Sequence, residues 1–238
     1  MAGVNSCKLQ EIPEVCSNNR RALGDQRPRL LCHLKTMNID TLLRDLGSID
    51  SAPLAEAIIG QDDAVWLEEG HRQKAYDVHR QTESIVLVFA HLDRWPEIEV
   101  RKEVGWNRLS DVAVPVMHDI IRKHYPPGGT IIRAMAAKLL AGGKIKPHTD
   151  THPSFHCGHR IHVPITTNPR VRFMIDGRPH QLQVGKAYEI NNQKTHSVMN
   201  KGADDRITFI FDYVPPRELG RLSPDNGAYQ VAESGAPN

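Results

Sequence analysis

The second half of the chain is divided into short apolar runs at nearly regular spacing, and this pattern restricts the fold more than any other feature. Eight β-rich runs lie between residues 130 and 214, and turn-forming residues separate them. Asp176-Gly177 is typical of a tight hairpin turn. Short, evenly spaced strands of this kind predict a double-sheet jelly roll or a small barrel. We therefore expect a mainly β fold with flanking helices, built on a jelly-roll barrel core.

The first half of the chain predicts a mixture of helices and strands. Residues 29–37 and 84–90 are apolar and rich in strand formers, so each predicts a strand. Residues 38–49 carry leucines at helical spacing, which predicts a helix capped by Asn38 or Asp40. Residues 110–125 predict an amphipathic helix with Ser110 as its cap, Pro115 near its first turn and the Pro-Pro-Gly-Gly segment after its end.

These elements predict one domain in four parts. The parts are a polar segment (1–28), an α/β part that packs on the barrel and shapes the substrate pocket (29–129), the catalytic barrel (130–216) and a polar tail (217–238).

Composition excludes several classes of protein. Apolar residues make up 39% of the chain and charged residues 24%, as in globular proteins, and no run approaches the ~18 apolar residues of a membrane span. The net charge of +2 indicates no nucleic-acid partner. The four cysteines have neither disulfide-scaffold nor zinc-cluster spacing. We expect a cytoplasmic protein with no membrane partner; the sequence leaves its oligomeric state open.

The motif His148-Thr149-Asp150 indicates a metal site. Side chains at i and i+2 of a strand point to the same face, so the imidazole and the carboxylate lie side by side. They are two of the three ligands of a 2-His-1-carboxylate triad, which binds non-haem Fe(II) and leaves coordination positions open. The third ligand must come from another strand, and His196 is the best candidate.

Arg206 begins the last apolar strand, ten residues after His196. A guanidinium in this place requires an anionic partner, and it can hold a carboxylate in a bidentate manner. A dicarboxylate with a 2-keto acid head would reach both the arginine and a metal. 2-Oxoglutarate is such a molecule.

Residues 130–214 resemble the aspartyl/asparaginyl β-hydroxylase family of Fe(II)/2-oxoglutarate-dependent dioxygenases. The resemblance rests on the His-x-Asp motif, on the Arg-x-His pair at Arg160 and His162, on the His-x-Val-x-Asn segment from His196 to Asn200, and on the arginine that follows. The resemblance implies a double-stranded β-helix (cupin-like) core, with iron held by His148, Asp150 and His196. It also implies that Arg206 and His162 bind 2-oxoglutarate. Because Asp150 is present, the chain looks like the bacterial branch with a full triad.

The family activity implies hydroxylation of an unactivated carbon with O2, while 2-oxoglutarate is converted to succinate and CO2. The resemblance places Arg160 on the substrate side. Polar groups before the buried strand at 84–90 suggest further substrate contacts at Tyr76, His79 and Arg80, and Trp106 is a similar candidate. We expect an amino acid or amino-acid-like small molecule as substrate, although a peptide or protein residue stays an alternative.

Two other classes of function are also consistent with the residues. A cupin-like isomerase or epimerase would need the metal but would not need Arg206 to hold a cosubstrate. A non-catalytic binding module would need neither an intact triad nor open coordination positions.

Overall fold

The computed structural model describes residues 39–68, 81–91 and 98–218, all of which belong to one compact unit, Leu34–Asn238. The helices are α1 (Ala52–Ile59), α2 (Asp63–Leu67) and α3 (Val104–His124), and a 3-10 turn spans Pro153–Phe155. The strands are β1 (Leu43–Ser48), β2 (Thr82–His91), β3 (Glu99–Lys102), β4 (Thr130–Leu139), β5 (Lys144–His148), β6 (His159–Pro164), β7 (Val171–Ile175), β8 (Arg178–His180), β9 (Lys186–Ile190), β10 (His196–Asn200) and β11 (Arg206–Val214).

The strands form two antiparallel sheets. The larger sheet has the order β1-β9-β6-β11-β4-β2-β3, and the smaller has the order β5-β10-β7-β8. An apolar cluster joins them, because Leu139, Tyr188 and Ile190 of the larger sheet pack with Phe173 and Val198 of the smaller one. Two facing sheets with these crossovers form the jelly roll predicted from the strand spacing.

The central strand β11 separates an apolar layer from a polar one. Phe209, Phe211 and Tyr213 are fully buried in the main core with Met117 of α3. The alternate residues of β11 point to the opposite face, between the two sheets. The pleat therefore places Arg206, Thr208 and Asp212 in the interior of the barrel, away from the helices.

The predicted strand pattern is confirmed. Eight strands lie between residues 130 and 214, and β7 and β8 form a hairpin in which Ile175 is opposite Arg178. Asp176 and Gly177 have φ angles of 50° and 72°, the left-handed conformation that this type of turn requires. The predicted strand at 84–90 is also confirmed and lies within β2.

The predicted helix at 38–49 is wrong, because its second half is strand β1. This strand pairs with β9 at the edge of the larger sheet, and Leu43 is opposite Ile190. The leucine spacing that suggests a helix equally allows Leu46 to enter the main core and Leu43 to pack on the cluster between the sheets. Pairing with a neighbouring strand has overridden the local pattern.

The predicted helix at 110–125 exists, but it begins at Val104, six residues earlier than expected. Ser110 is therefore not its cap, and Pro115 lies inside the helix rather than in its first turn. Pro115 is exposed, so water can reach the backbone carbonyl that loses its intrahelical donor. The helix ends at His124, before the Pro-Pro segment, as predicted.

Several predictions concern regions outside the described residues, among them the strand at 29–37 and most of the two polar terminal segments. The partition into four parts stays a prediction. Within the described part of the chain, no helix has the length and apolar character needed to cross a membrane.

Candidate metal and cosubstrate site

Three side chains that are distant in sequence converge at one end of the smaller sheet. The Cα atoms of His148 in β5 and His196 in β10 are paired across the two strands, and their ring centroids are 4.3 Å apart. Asp150 follows β5, where its backbone N–H donates to the carbonyl of Asn192 at 3.2 Å. One ligand atom from each of His148, Asp150 and His196 lies within 4.8 Å of the others. The geometry thus assembles the donor set expected from the sequence.

Both histidines are oriented by the same backbone interaction. Nδ1 of His148 donates to the carbonyl of Lys146 at 2.8 Å, and Nδ1 of His196 donates to the carbonyl of Lys194 at 3.0 Å. Because a carbonyl can only accept, Nδ1 of each ring carries a proton, and Nε2 is the nitrogen that is left to bind a metal. Burial lowers the pKa of His196, which favours the neutral form that binds a metal.

The carboxylate of Asp150 has one oxygen engaged and the other directed toward the histidines. Oδ2 accepts from Nη1 of Arg160 at 2.6 Å and from Nδ2 of Asn192 at 3.2 Å. Oδ1 lies 3.9 Å from Nε2 of His148. Two imidazole nitrogens and one carboxylate oxygen can therefore act together as ligands, and such a set suits a divalent transition metal.

A second group of polar atoms lies between the sheets. Nη2 of Arg206, both ring nitrogens of His162 and Oγ1 of Thr208 are buried and form no hydrogen bond with the described residues. We call Arg206, His162 and Thr208 the inner polar group. The ring of Phe173 joins it, because it lies 5.7 Å from the guanidinium of Arg206 and 5.8 Å from the ring of His162.

Burial determines the protonation states of the inner polar group. It lowers the pKa of Arg206 to about 10, so the guanidinium is still charged at neutral pH. Burial, and then the charge of Arg206, hold the pKa of His162 well below 6.5, so this imidazole is neutral. Buried polar atoms without partners are uncommon in folded proteins. The group has the chemistry to bind a carboxylate.

A buried ion-pair network lies beside the candidate metal ligands. Asp212 accepts from Nη1 of Arg133 at 3.0 Å, and from Nε and Nη2 of Arg160 at 2.8 and 2.9 Å. Burial alone would raise the pKa of Asp212, but the two arginines hold it below its ordinary value. Burial alone would lower the pKa of Arg160, but Asp150 and Asp212 hold it above its ordinary value.

The remaining candidate substrate residues lie in different surroundings. Arg160 is in the network just described. Trp106 lies in the first turn of α3, where it packs against the main core and beneath Nζ of Lys102, 4.2 Å from the ring centroid. Tyr76, His79 and Arg80 are outside the described residues. The substrate role of all five stays a prediction.

Sequence reasoning overlooked several residues of the site. Thr208 is two residues after Arg206 on the same strand, so the i, i+2 rule used for His148 would have identified it. Asp212 lies six residues after Arg206 on the same strand, so the same rule places it on the same face. Asn192 and Arg133 left no comparable signal, because their contacts depend on strand register and loop geometry.

Solved structures of similar chains share little sequence with this one. One is a non-heme monooxygenase, ThoJ in complex with Ni, at 14% identity, 74% coverage of both chains and a TM-score of 0.48. Another is an oxidoreductase of the 2OG-Fe(II) oxygenase family from Burkholderia pseudomallei, at 12% identity, 71% coverage of this chain, 91% of that chain and a TM-score of 0.43. A search of curated protein sequences finds no match.

A protein-family model also matches the chain. The model of the family described as aspartyl/asparaginyl beta-hydroxylase matches residues 59–216, more than half of the 238 residues. This match includes the three converging ligands and the whole inner polar group. The chain belongs to the aspartyl/asparaginyl β-hydroxylase family and is an enzyme of the hydroxylase type.

Proposed function

We propose that the protein is an Fe(II)- and 2-oxoglutarate-dependent dioxygenase that hydroxylates an amino acid or an amino-acid-like small molecule. The observation that carries the proposal is the combination of a converging His-Asp-His set with a buried, charged arginine that lacks a carboxylate partner among the described residues. Either feature alone is consistent with several functions. Together they match a ligand that binds a metal at one end and a guanidinium at the other.

The donor set supports iron. Two imidazoles and one carboxylate form the ligand set of non-haem Fe(II) oxygenases, in which the protein leaves the remaining positions open. His148, Asp150 and His196 would hold the ion, which when bound supplies the O2 chemistry needed to oxidise an unactivated carbon. The hydrogen bonds of both Nδ1 atoms and of Asp150 Oδ2 orient the ligands before any ion is present.

The inner polar group supports 2-oxoglutarate. A charged guanidinium in an apolar environment is costly unless an anion pairs with it. Arg206 would bind the distal carboxylate of 2-oxoglutarate, and Oγ1 of Thr208, on the same face of β11, would donate to it. Nitrogen atoms of His162 lie in the same interior and, since the imidazole is neutral, offer one donor and one acceptor.

The proposed substrate is an amino acid or an amino-acid-like small molecule. Its support is the description of the family, which names aspartyl and asparaginyl groups. A residue within a peptide or protein is the alternative substrate. A screen of free amino acids and short peptides, with mass spectrometry for a product heavier by one oxygen atom, separates the two.

Formation of succinate from 2-oxoglutarate tests the reaction type. We expect activity in the wild-type protein with Fe(II) and loss of activity in His148→Ala and Arg206→Met. Arg172→Met is a matched control, because Arg172 is an exposed arginine on β7 whose hydrogen bonds go to backbone carbonyls of its own segment. Wild-type turnover of 2-oxoglutarate by Arg206→Met would contradict the proposal.

A metal-dependent isomerase is the second candidate, because the converging ligands do not by themselves require 2-oxoglutarate. It predicts that the product has the same mass as the substrate. It also predicts that Arg206→Met leaves turnover nearly unchanged while His148→Ala abolishes it.

A further inference from the structure

Four charged side chains form a continuous chain from the centre of the larger sheet to the metal ligands. Asp212 in β11 is the Cα partner of both Arg133 in β4 and Arg160 in β6, so the three side chains share one cross-strand row. Nη1 of Arg160 then reaches Oδ2 of Asp150 at 2.6 Å. We call Arg133, Asp212, Arg160 and Asp150 the ion-pair chain.

We propose that Asp212 and Arg133 are positioning residues, which fix Arg160 and through it orient the carboxylate of Asp150 toward His148 and His196. The inference rests on the proposed metal site and extends it. It assigns Arg160 to the orientation of a metal ligand, in contrast to the substrate contact expected from the sequence.

The planar guanidinium of Arg160 links the carboxylate of Asp212 to that of Asp150. Two of its nitrogens, Nε and Nη2, bind the two oxygens of Asp212 at 2.8 and 2.9 Å. Because the guanidinium is rigid, a bidentate pair on one edge fixes the direction of the third nitrogen. That nitrogen, Nη1, holds Oδ2 of Asp150, and the other carboxylate oxygen faces the histidines.

Further contacts immobilise the row. Nη2 of Arg133 donates to Oγ of Ser154 at 2.7 Å. The ring of Phe155 lies against both guanidinium groups, with its centroid 4.3 Å from Cζ of Arg133 and 4.6 Å from Cζ of Arg160. The arginines are thus held by charge in one direction and by an aromatic face in another.

Charge balance explains why Asp212 matters for the metal. The ion-pair chain contains two cations and two anions, and Asp212 and Arg133 are only 3% and 4% exposed. Without the carboxylate of Asp212, Asp150 would be the nearest anion to a freed Arg160. A guanidinium that turns to pair with both oxygens of Asp150 competes with the metal for the oxygen that faces the histidines.

Titration with Co(II) tests the inference without turnover, because visible absorption reports both affinity and ligand geometry. The variants are Asp212→Asn, which keeps the shape and removes the charge, and Arg160→Lys, which keeps the charge and removes the fork. Glu83→Gln is the control. Glu83 forms a similarly protected ion pair with Lys138 at 2.9 Å, in which the side chains are 17% and 9% exposed.

We expect both variants to bind Co(II) about tenfold or more weakly, with an altered spectrum, as is typical when a residue that orients a metal ligand is lost. The control should keep wild-type affinity and spectrum even if its melting temperature falls. A folded Asp212→Asn that binds Co(II) like the wild type overturns the inference. Should Asp212→Asn fail to fold, wild-type binding by Arg160→Lys overturns it instead.

Two other outcomes separate this inference from its alternatives. If Arg160 only binds substrate, Arg160→Lys raises the KM for the prime substrate and leaves the Co(II) affinity unchanged, which contradicts the inference alone. If the wild-type protein does not bind Co(II), the proposed metal site fails and the inference fails with it.

Discussion

Replacement of Arg206 by methionine is expected to stabilise the protein in the absence of 2-oxoglutarate and to remove its response to that compound. Arg206 is 6% exposed, and its Nη2 atom has no hydrogen-bond partner among the described residues. Methionine preserves much of the apolar contact of the side chain with Phe173 but removes the charge. A residue kept for ligand binding commonly lowers stability in this way.

The size of the effect follows from burial and pKa. Burial lowers the pKa of Arg206 from its ordinary value to about 10, which at about 1.4 kcal/mol for each tenfold change in proton affinity corresponds to roughly 3 kcal/mol of lost solvation. Removal of the charge avoids this loss of solvation, but the shorter side chain also loses some packing contacts. We therefore expect Arg206→Met to raise the free energy of unfolding by about 1 to 3 kcal/mol.

Arg133→Met is the matched control. Arg133 is 4% exposed, also lies in the interior of the larger sheet, and pairs with Asp212 and Ser154. Burial lowers the pKa of Arg133 as well, but Arg133 differs from Arg206 because it is hydrogen-bonded to a buried carboxylate. Its removal leaves Asp212 with only one arginine and should lower the free energy of unfolding by about 3 kcal/mol. The same substitution at two buried arginines therefore has opposite expected signs.

Urea denaturation at neutral pH measures both variants, without and with 2-oxoglutarate and metal. At a ligand concentration 100 times Kd, the free energy of unfolding of the wild type should rise by about 2.7 kcal/mol, and that of Arg206→Met should not change. If Arg206→Met is destabilised as much as Arg133→Met, then Arg206 has an anionic protein partner and the cosubstrate argument fails. If 2-oxoglutarate stabilises Arg206→Met as much as it stabilises the wild type, Arg206 does not bind the cosubstrate.

Three further predictions concern stability. Burial and the charge of Arg206 hold the pKa of His162 well below 6.5, so below pH 6.5 the unfolded chain binds more protons than the folded protein. The free energy of unfolding should therefore fall as the pH decreases from 6.5. Urea titrations at several pH values should show that His162→Phe reduces this pH dependence by up to about 1.4 kcal/mol per pH unit. Gly105→Ala should lower the free energy of unfolding by about 2 kcal/mol or more, because the added Cβ would lie 2.5 Å from the carbonyl oxygen of Val86. Gly158→Ala is the control, since its Cβ would have no contact shorter than 3.4 Å and should change stability little. Thermal unfolding measures both variants. Asn200→Ala should cost about 2 kcal/mol, because the fully buried amide holds the turn before β11 through Asp204 and Gly202; an unchanged denaturation midpoint would refute this.

Local periodicity predicted much of the fold. The eight strands after residue 130 and the hairpin at Asp176 depend on alternation and turn chemistry, which operate over a few residues. The segment at 38–49 shows the limit of such reasoning. Its leucines satisfy a helical spacing, but the edge of β9 offers backbone partners, and pairing at that edge decides the conformation.

The candidate ligand set was also largely visible in the sequence. The i, i+2 rule pairs His148 with Asp150 as if both lay in one strand, whereas β5 ends at His148 and Asp150 follows it; the two side chains nevertheless converge. Arg206 is conspicuous because a charge begins an apolar strand. His196 required the additional assumption that a distant strand returns beside the first. The pairing of β5 with β10 meets that assumption, since the Cα atoms of His148 and His196 are direct partners.

The sequence by itself determined which chemical groups are available and on which side of each strand they project, because both properties depend on residue type and on the two-residue period of a strand. Only the tertiary structure decided which groups have partners. Register places Asp212 between Arg133 and Arg160, and it leaves Nη2 of Arg206 without a partner in the described part of the chain. Ion pairing and burial depend on contacts between strands far apart in the chain, and no local pattern encodes them.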